Sequence, residues 1–309
     1  MISAPLTRDV ATNPEMGRFR GASQGRELQL AQVHNFSYGV LNPVLAYLIS
    51  CLGCFLGLQC TARARAMEGG ARARWLLLAA VSIGVTGIWV MHFIAMLGYT
   101  INGQAISYNV PVTILSMVIA IAVVAAGLFI VGFGRAGDSS RLLVGGSVIG
   151  IGVAGMHYMG IWAMRMPDTM GFSPVLLILS VIIAMVAGTA ALWAANTLSG
   201  LTATLVASLI MGVAVSGMHY TGMAALHVYN APGGGMLAMG AGASATSFLL
   251  PLILGISIVT FLVTAIVTMA PTAEEMREDA ALMERIATLS KNLGQPQQRR
   301  LAASLPAHP

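Results

Sequence analysis

Charge is what this 309-residue chain most lacks: Asp, Glu, Lys and Arg together make up 9% of it, where roughly 25% is usual for a soluble domain. Cysteine is scarce too. Three in all cannot form the disulfide framework that staples small secreted folds. Aromatic residues account for only 6%. Hydrophobic residues take the vacated share, at 57%, with 35 glycines besides. A water-soluble fold of this size cannot hide so much apolar side chain and keep a polar surface, so the composition is that of a polytopic membrane protein. The net charge of +5 needs no nucleic acid to explain it, because topology accounts for where the arginines lie.

Seven apolar runs contain no charged residue: 39–60, 75–99, 111–134, 142–164, 174–196, 201–226 and 246–270. Each can supply the ~20 residues that a helix needs to cross the hydrocarbon layer. They are continuous rather than short and alternating, which excludes a membrane barrel and predicts helices. The expected fold class is therefore all-α, with seven transmembrane helices in a membrane domain over 39–270. Residues 1–38 read as a polar, disordered tail without the apolar core of a signal peptide. Residues 271–309 read as a second tail.

Arginine placement orients the domain. If the N-terminus is outside, the segments 61–74, 135–141, 197–200 and 271–309 face the cytoplasm and hold eleven basic residues. The loops 100–110, 165–173 and 227–245 then hold one. The positive-inside rule puts the N-terminus out and the C-terminus in a multi-pass cell-membrane protein.

An internal repeat runs through six of the seven spans. The odd-numbered ones open with Asn42-Pro43-Val44, Val110-Pro111-Val112 and Ser173-Pro174-Val175, and each carries a serine further in, at Ser50, Ser116 and Ser180. Proline suits the first turn of a helix, where its missing N–H is not needed. The even-numbered partners carry Met91-His92-Phe93, Met156-His157-Tyr158 and Met218-His219-Tyr220 near their outer ends. From proline to histidine is 49, 46 and 45 residues. Three helical hairpins of nearly equal length make a six-helix body, and the seventh span is an addition.

The strings MHFIAMLG, MHYMGIWAM and MHYTGMAAL, equally spaced at the outer ends of alternate helices, are specific. The chain resembles the MHYT family of integral membrane sensor domains over roughly 39–270. The resemblance implies a copper site near the outer face, built from the Met and His of the repeats. It also implies sensing of a diatomic gas: oxygen, carbon monoxide or nitric oxide.

The residues themselves also point to a metal. An imidazole inside a bilayer is costly to leave unpaired, and three of the chain's six histidines occupy equivalent repeat positions. Pseudo-symmetric packing would bring them to one depth. His92 and Met96 share a helix face, as do His219 and Met223, since each pair is four apart. Imidazole with thioether is a soft ligand set that suits copper, above all Cu(I). No carboxylate lies in any span to build a hard-metal site.

The expected ligands are thus His92, Met96, His157, His219 and Met223. The second repeat departs from the pattern, with Ile161 where the others have Met, so either His157 acts alone or Met164, at +7, reaches back along its face. Met91, Met156 and Met218 lie about 100° round the helix from their own histidines and face a neighbouring helix. His227, four past Met223, is either a further outer ligand or a loop residue. Tyr158 and Tyr220 are either membrane-interface anchors or ligands. Cys51, Cys54 and Cys60 read as small packing residues away from the histidines.

Two functional classes follow. The first is a membrane signalling sensor with a copper cofactor. The second is a haem-binding or copper-handling membrane protein, in which paired histidines ligate haem iron or Met and His pass copper along. No enzyme is expected: the sequence has no serine with a plausible base, no carboxylate pair and no phosphate-binding glycine loop. In many family members a cyclic-dinucleotide or kinase domain follows the membrane part, and 271–309 is too short to be one. Output is expected through this tail or a separate cytoplasmic partner. Thr272 and Glu275 match a capping box, and Leu282, Ile286, Leu289 and Leu293 make one apolar stripe, which predicts a helix over about 273–293. That stripe would dock on a partner, pair with a second copy, or lie on the membrane surface.

Overall fold

The seven apolar runs are seven helices: α1 (Leu41–Arg65), α2 (Gly69–Leu97), α3 (Val110–Gly132), α4 (Ser139–Trp162), α5 (Pro174–Thr197), α6 (Leu201–Ala225) and α7 (Ala245–Met269). All are long and apolar enough to cross a membrane, and the chain is a multi-pass membrane protein. The structure is a computed structural model that describes residues 30–101, 104–134, 137–166, 169–230, 243–270 and 281–289.

Local chemistry starts the helices where the repeat predicts. Pro111 and Pro174 sit in the first turns of α3 and α5, where a missing N–H costs nothing. Asn109 caps α3 by accepting from the N–H of Val112 at 3.4 Å. Asp138 caps α4 through the N–H groups of Ser140 and Arg141, at 3.1 and 3.3 Å. The Ser140 hydroxyl and the Arg141 N–H hold the Asp138 carboxyl below the usual carboxylate range.

The first two helices run past their expected bounds. Instead of a loop over 61–74, α1 continues to Arg65 and α2 begins at Gly69. The arginines belong to the helix ends because they have work there. Arg63 Nη2 donates to the carbonyls of Val267 and, at 2.8 Å, Ala270 at the end of α7. Arg65 donates to the carbonyls of Ala195 and Leu198 at the end of α5. Carbonyls of a last helical turn have no partner within their own helix, and the helix dipole favours a cation beside them. The long aliphatic stems stay among apolar neighbours while the guanidinium groups reach these acceptors.

Six helices close into a ring. Each packs on the next in chain order, and α6 returns to α1. Helix α7 lies outside this ring against α1 and α2, tied by Thr86 Oγ1 and Thr260 Oγ1 at 2.7 Å. Small residues let the backbones approach, as membrane helix packing requires. At the α1–α2 crossing a Cβ on Gly53 would lie 2.7 Å from Gly87 Cα. One stretch of α2, Ser82–Val90, winds as a π-helix and is buried throughout. Periodicity gave no hint of it, because π and α windings of one segment have the same summed hydropathy. Such insertions cluster at functional sites, and this one ends directly before Met91-His92.

The loops at the histidine end form small antiparallel sheets that cap the bundle. β2 (Thr100–Ile101), β3 (Gln104–Ala105) and β4 (Ser107–Tyr108) lie between α2 and α3, and β5 (Met164–Arg165) with β6 (Thr169–Phe172) between α4 and α5. β7 (Leu226–Tyr229) follows α6 and β8 (Ala243–Ser244) precedes α7. β4 pairs with both β5 and β8, and β6 with β7. The expectation of a disordered tail over 1–38 needs correcting at its end: β1 (Val33–His34) pairs with β2, placing His34 opposite Thr100, and Ala31 N–H donates to Val228 O at 2.8 Å. The exposed backbone groups of these loops need partners, and a passing extended segment supplies them. Residues 1–29 lie outside the described residues.

Of the helix expected over 273–293, residues 281–289 are described, and they are helical and exposed. Leu293 and the capping box lie outside the described residues.

Candidate metal centre

The repeat places His92 on α2, His157 on α4 and His219 on α6, five or six residues before each helix ends. At a rise of about 1.5 Å per residue this sets all three some 8 Å below the helix ends, at one depth. The ring closure then turns them inward. His92 Nδ1 lies 3.0 Å from His219 Nδ1 and 3.1 Å from His157 Nδ1. Ring nitrogens of the three lie within 4.8 Å of one another, which makes them the only group of three or more His, Cys, Asp or Glu so placed among the described residues. The rings stand nearly perpendicular in pairs, at 84°, 82° and 88°, as blades of a propeller around the three Nδ1 atoms. Relative exposure is 1%, 0% and 1%.

Hydrogen bonding alone leaves this arrangement frustrated. A nitrogen of a neutral imidazole is either an N–H donor or a lone-pair acceptor. His92 Nδ1 carries one hydrogen or one lone pair yet faces two ring nitrogens, so it can make a full hydrogen bond to only one of them. A single cation at the centre would accept three lone pairs at once. The donor set fits a metal on this ground, and the imidazole chemistry suits copper or zinc better than magnesium or calcium. The outward Nε2 atoms of His92 and His157 are buried with no hydrogen-bond partner, so no hydrogen bond on that side orients the two rings.

The expected methionines have a mixed placing. Met91, Met96, Met156, Met218 and Met223 are all buried on the histidine helices. Met218 lines a small cavity with Ile149, Val153, Ala184 and Met211, facing neighbouring helices as its angular offset implies. Met164 does not return to the His157 face. Helix α4 ends at Trp162, and Met164 is in β5 opposite Tyr108. His227 is in β7 opposite Gly171, with Nδ1 3.1 Å from Ala225 O, outside the imidazole cluster. Cys51, Cys54 and Cys60 are free and buried.

Other repeat residues support the site rather than line it. Trp89 Nε1 donates to Ser116 Oγ at 3.0 Å, and Tyr158 Oη pairs with Ser180 Oγ at 2.7 Å. The repeated serines thus tie each of the first two histidine helices to the next hairpin. Over the cluster, Phe93 packs edge to face on His92 and on Tyr108. Tyr108 and Tyr99 are buried and their hydroxyls have no partner. Burial pushes the Tyr99 phenol up to about 12 and raises that of Tyr108 as well. Sequence reading missed one feature that was visible in it: glycine three residues after the histidine in two repeats, Gly160 and Gly222.

Fold and site define a membrane bundle of three hairpins around a buried imidazole triad. The family model for MHYT, described as a bacterial signalling protein N-terminal repeat, matches residues 86–146 and again 150–208. The chain belongs to the MHYT family. His92 and His157 fall within the two matched segments, and His219 lies beyond them. The chain is 36% identical over 243 residues to the cyclic di-GMP phosphodiesterase NbdA of Pseudomonas aeruginosa, covering 76% of this chain and 30% of that protein. It is 34% identical over 194 residues to the bifunctional diguanylate cyclase/cyclic di-GMP phosphodiesterase MucR of the same organism, with coverages of 61% and 28%. A third relative, the signaling protein YkoW of Bacillus subtilis, is 29% identical over 212 residues, or 64% of this chain and 25% of its own length. The chain therefore spans about a quarter to a third of the curated relatives it matches. No solved structure matches it.

Proposed function

We propose that the chain is a membrane signalling sensor in which His92, His157 and His219 hold one copper ion and through it a diatomic gas. The observation that carries this reading is the convergence of three Nδ1 atoms, one from each repeat, on a single point. Copper bound there would supply a coordination position open to oxygen, carbon monoxide or nitric oxide. The imidazoles would hold the ion by their lone pairs, and the buried surroundings would keep water from competing. Buried thioethers of Met96 and Met223 on the same helices add soft donors. The soft donor set also favours copper over zinc.

Convergence on a point suits a small ion. A haem ligated by two histidines needs them on opposite faces of a plate, with the macrocycle between. The three perpendicular rings favour copper over the haem-binding reading for that reason.

We read the chain as a sensing module rather than a catalyst, because its sequence carries no reactive pair and no phosphate-binding loop. Arginine placement supports an N-terminus outside, a C-terminus in the cytoplasm and the triad near the outer face. The names of the relatives support cyclic di-GMP turnover as the downstream process, reached through a cytoplasmic partner or through a second copy of the chain.

Metal analysis of the purified protein tests the reading. Wild type should carry one copper per chain and show no Soret band, and replacing any one of the three histidines by Ala should reduce bound copper by about tenfold or more. Met96→Leu and Met223→Leu should weaken binding less. Copper kept at wild-type stoichiometry by the triple histidine variant would sink the idea, and a Soret band would establish haem instead.

A further inference from the structure

Each of the first two imidazoles has its outward edge against a glycine of the following repeat. A Cβ built on Gly160 would meet His92 Nε2 first, then its Cδ2 at 3.0 Å and Cε1 at 3.2 Å. A Cβ on Gly222 would meet His157 in the same order, with Cδ2 at 2.8 Å and Cε1 at 3.2 Å. Both glycines stand three residues after the histidine of their own helix, so the contacts follow the repeat: the first repeat's ring sits on the second repeat's helix, and the second's on the third's. The equivalent position in the first repeat is Ala95, which is also buried.

We propose that Gly160 and Gly222 are positioning residues that aim the metal-binding nitrogens, an inference that rests on the copper reading above. The Nε2 atoms of His92 and His157 have no hydrogen-bond partner. In most metal sites a second-shell acceptor on the far nitrogen orients the ring. Here shape does it instead. The glycine leaves a slot one methyl group deep, the imidazole edge fills it, and Nδ1 is left on the axis. A methyl group in the slot pushes the ring toward the other two and breaks the convergence. The same seat couples ring position to helix spacing: an imidazole that shifts as its metal gains or loses a ligand presses on the next helix or releases it.

The full-length protein, purified in detergent and loaded with copper(II) sulfate, tests this by copper content and by the hyperfine splitting of its electron paramagnetic resonance spectrum. Gly160→Ala and Gly222→Ala should weaken copper binding by about tenfold or more and alter the splitting. Gly155→Ala and Gly217→Ala, on the same two helices but with nothing within 4 Å of the new methyl, should leave both readouts at wild-type values. If Gly222→Ala does not fold, His157→Ala/Gly222→Ala should fold, since the ring that occupies the slot is gone. Failure of that double variant overturns the seat. So does a Gly160→Ala or Gly222→Ala protein indistinguishable from the two controls while His92→Ala and His157→Ala lose copper. Retention of copper by the histidine variants overturns the copper reading itself, and the seat with it.

Discussion

At the scale of single residues, the repeat assigns equivalent positions unequal tasks. Tyr158 and Tyr220 occupy the same place after their histidines, yet Tyr158 bonds to Ser180 while the Tyr220 hydroxyl is buried without a partner. Phe93, at the third such place, has no hydroxyl, and Ser116 accepts instead from Trp89. The sequence left open whether Tyr158 is a ligand or an anchor. Its hydroxyl is turned to α5, so it serves helix packing. Hydrogen bonds between membrane helices contribute about 0.6 kcal/mol on average. A double-mutant cycle of Tyr158→Phe and Ser180→Ala, read by thermal unfolding in detergent, should return a coupling of that size. Copper content should not change in any member of the cycle; a loss in Tyr158→Phe would make the tyrosine a ligand after all.

Among the elements, the contrast lies between α2 and the helix over 281–289. The span of α2 is 83% buried, more than any other, and its π-helical stretch places His92 against two other helices. The helix at 281–289 is exposed along its length, and Leu282, Ile286 and Leu289 are 56%, 51% and 61% exposed on one face. An apolar stripe of this length is too short for a stable coiled coil on its own, so it requires a surface to lie on. Replacing Ile286 and Leu289 with Asp should abolish chemical crosslinking between copies of the chain in membranes and leave copper content unchanged. Crosslinking that persists in this variant would show the stripe is not the contact.

For the whole molecule, orientation decides which compartment the triad reports on. The two ends of the bundle differ chemically. One carries Arg63, Arg65, Arg72 and Arg74, and the other the small sheets and the imidazoles. A cysteine at Ser107, in β4, should react with a membrane-impermeant maleimide in intact cells, and one at Ala66, between α1 and α2, should not. The native cysteines are buried, so background labelling should be low. The reverse pattern would place the triad on the cytoplasmic side.

What the sequence by itself determined is everything that adds up along the chain. Hydropathy summed over some twenty residues defines the seven helices, and the spacing of proline and histidine defines three hairpins and sets His92, His157 and His219 at one depth. Only the tertiary structure decided what the histidines do with that shared depth. Whether Nδ1 or Nε2 faces the axis, that Gly160 and Gly222 receive the ring edges, that Met164 leaves the His157 face and that Arg63 and Arg65 cap other helices all depend on the register between helices distant in sequence. The same holds for the π-helical turn in α2 and for β1 on the loops at the histidine end. The physical reason is that helix formation and burial in a bilayer are largely local and additive, whereas side-chain contacts between helices change with rotations of a few tens of degrees that leave every hydropathy sum the same.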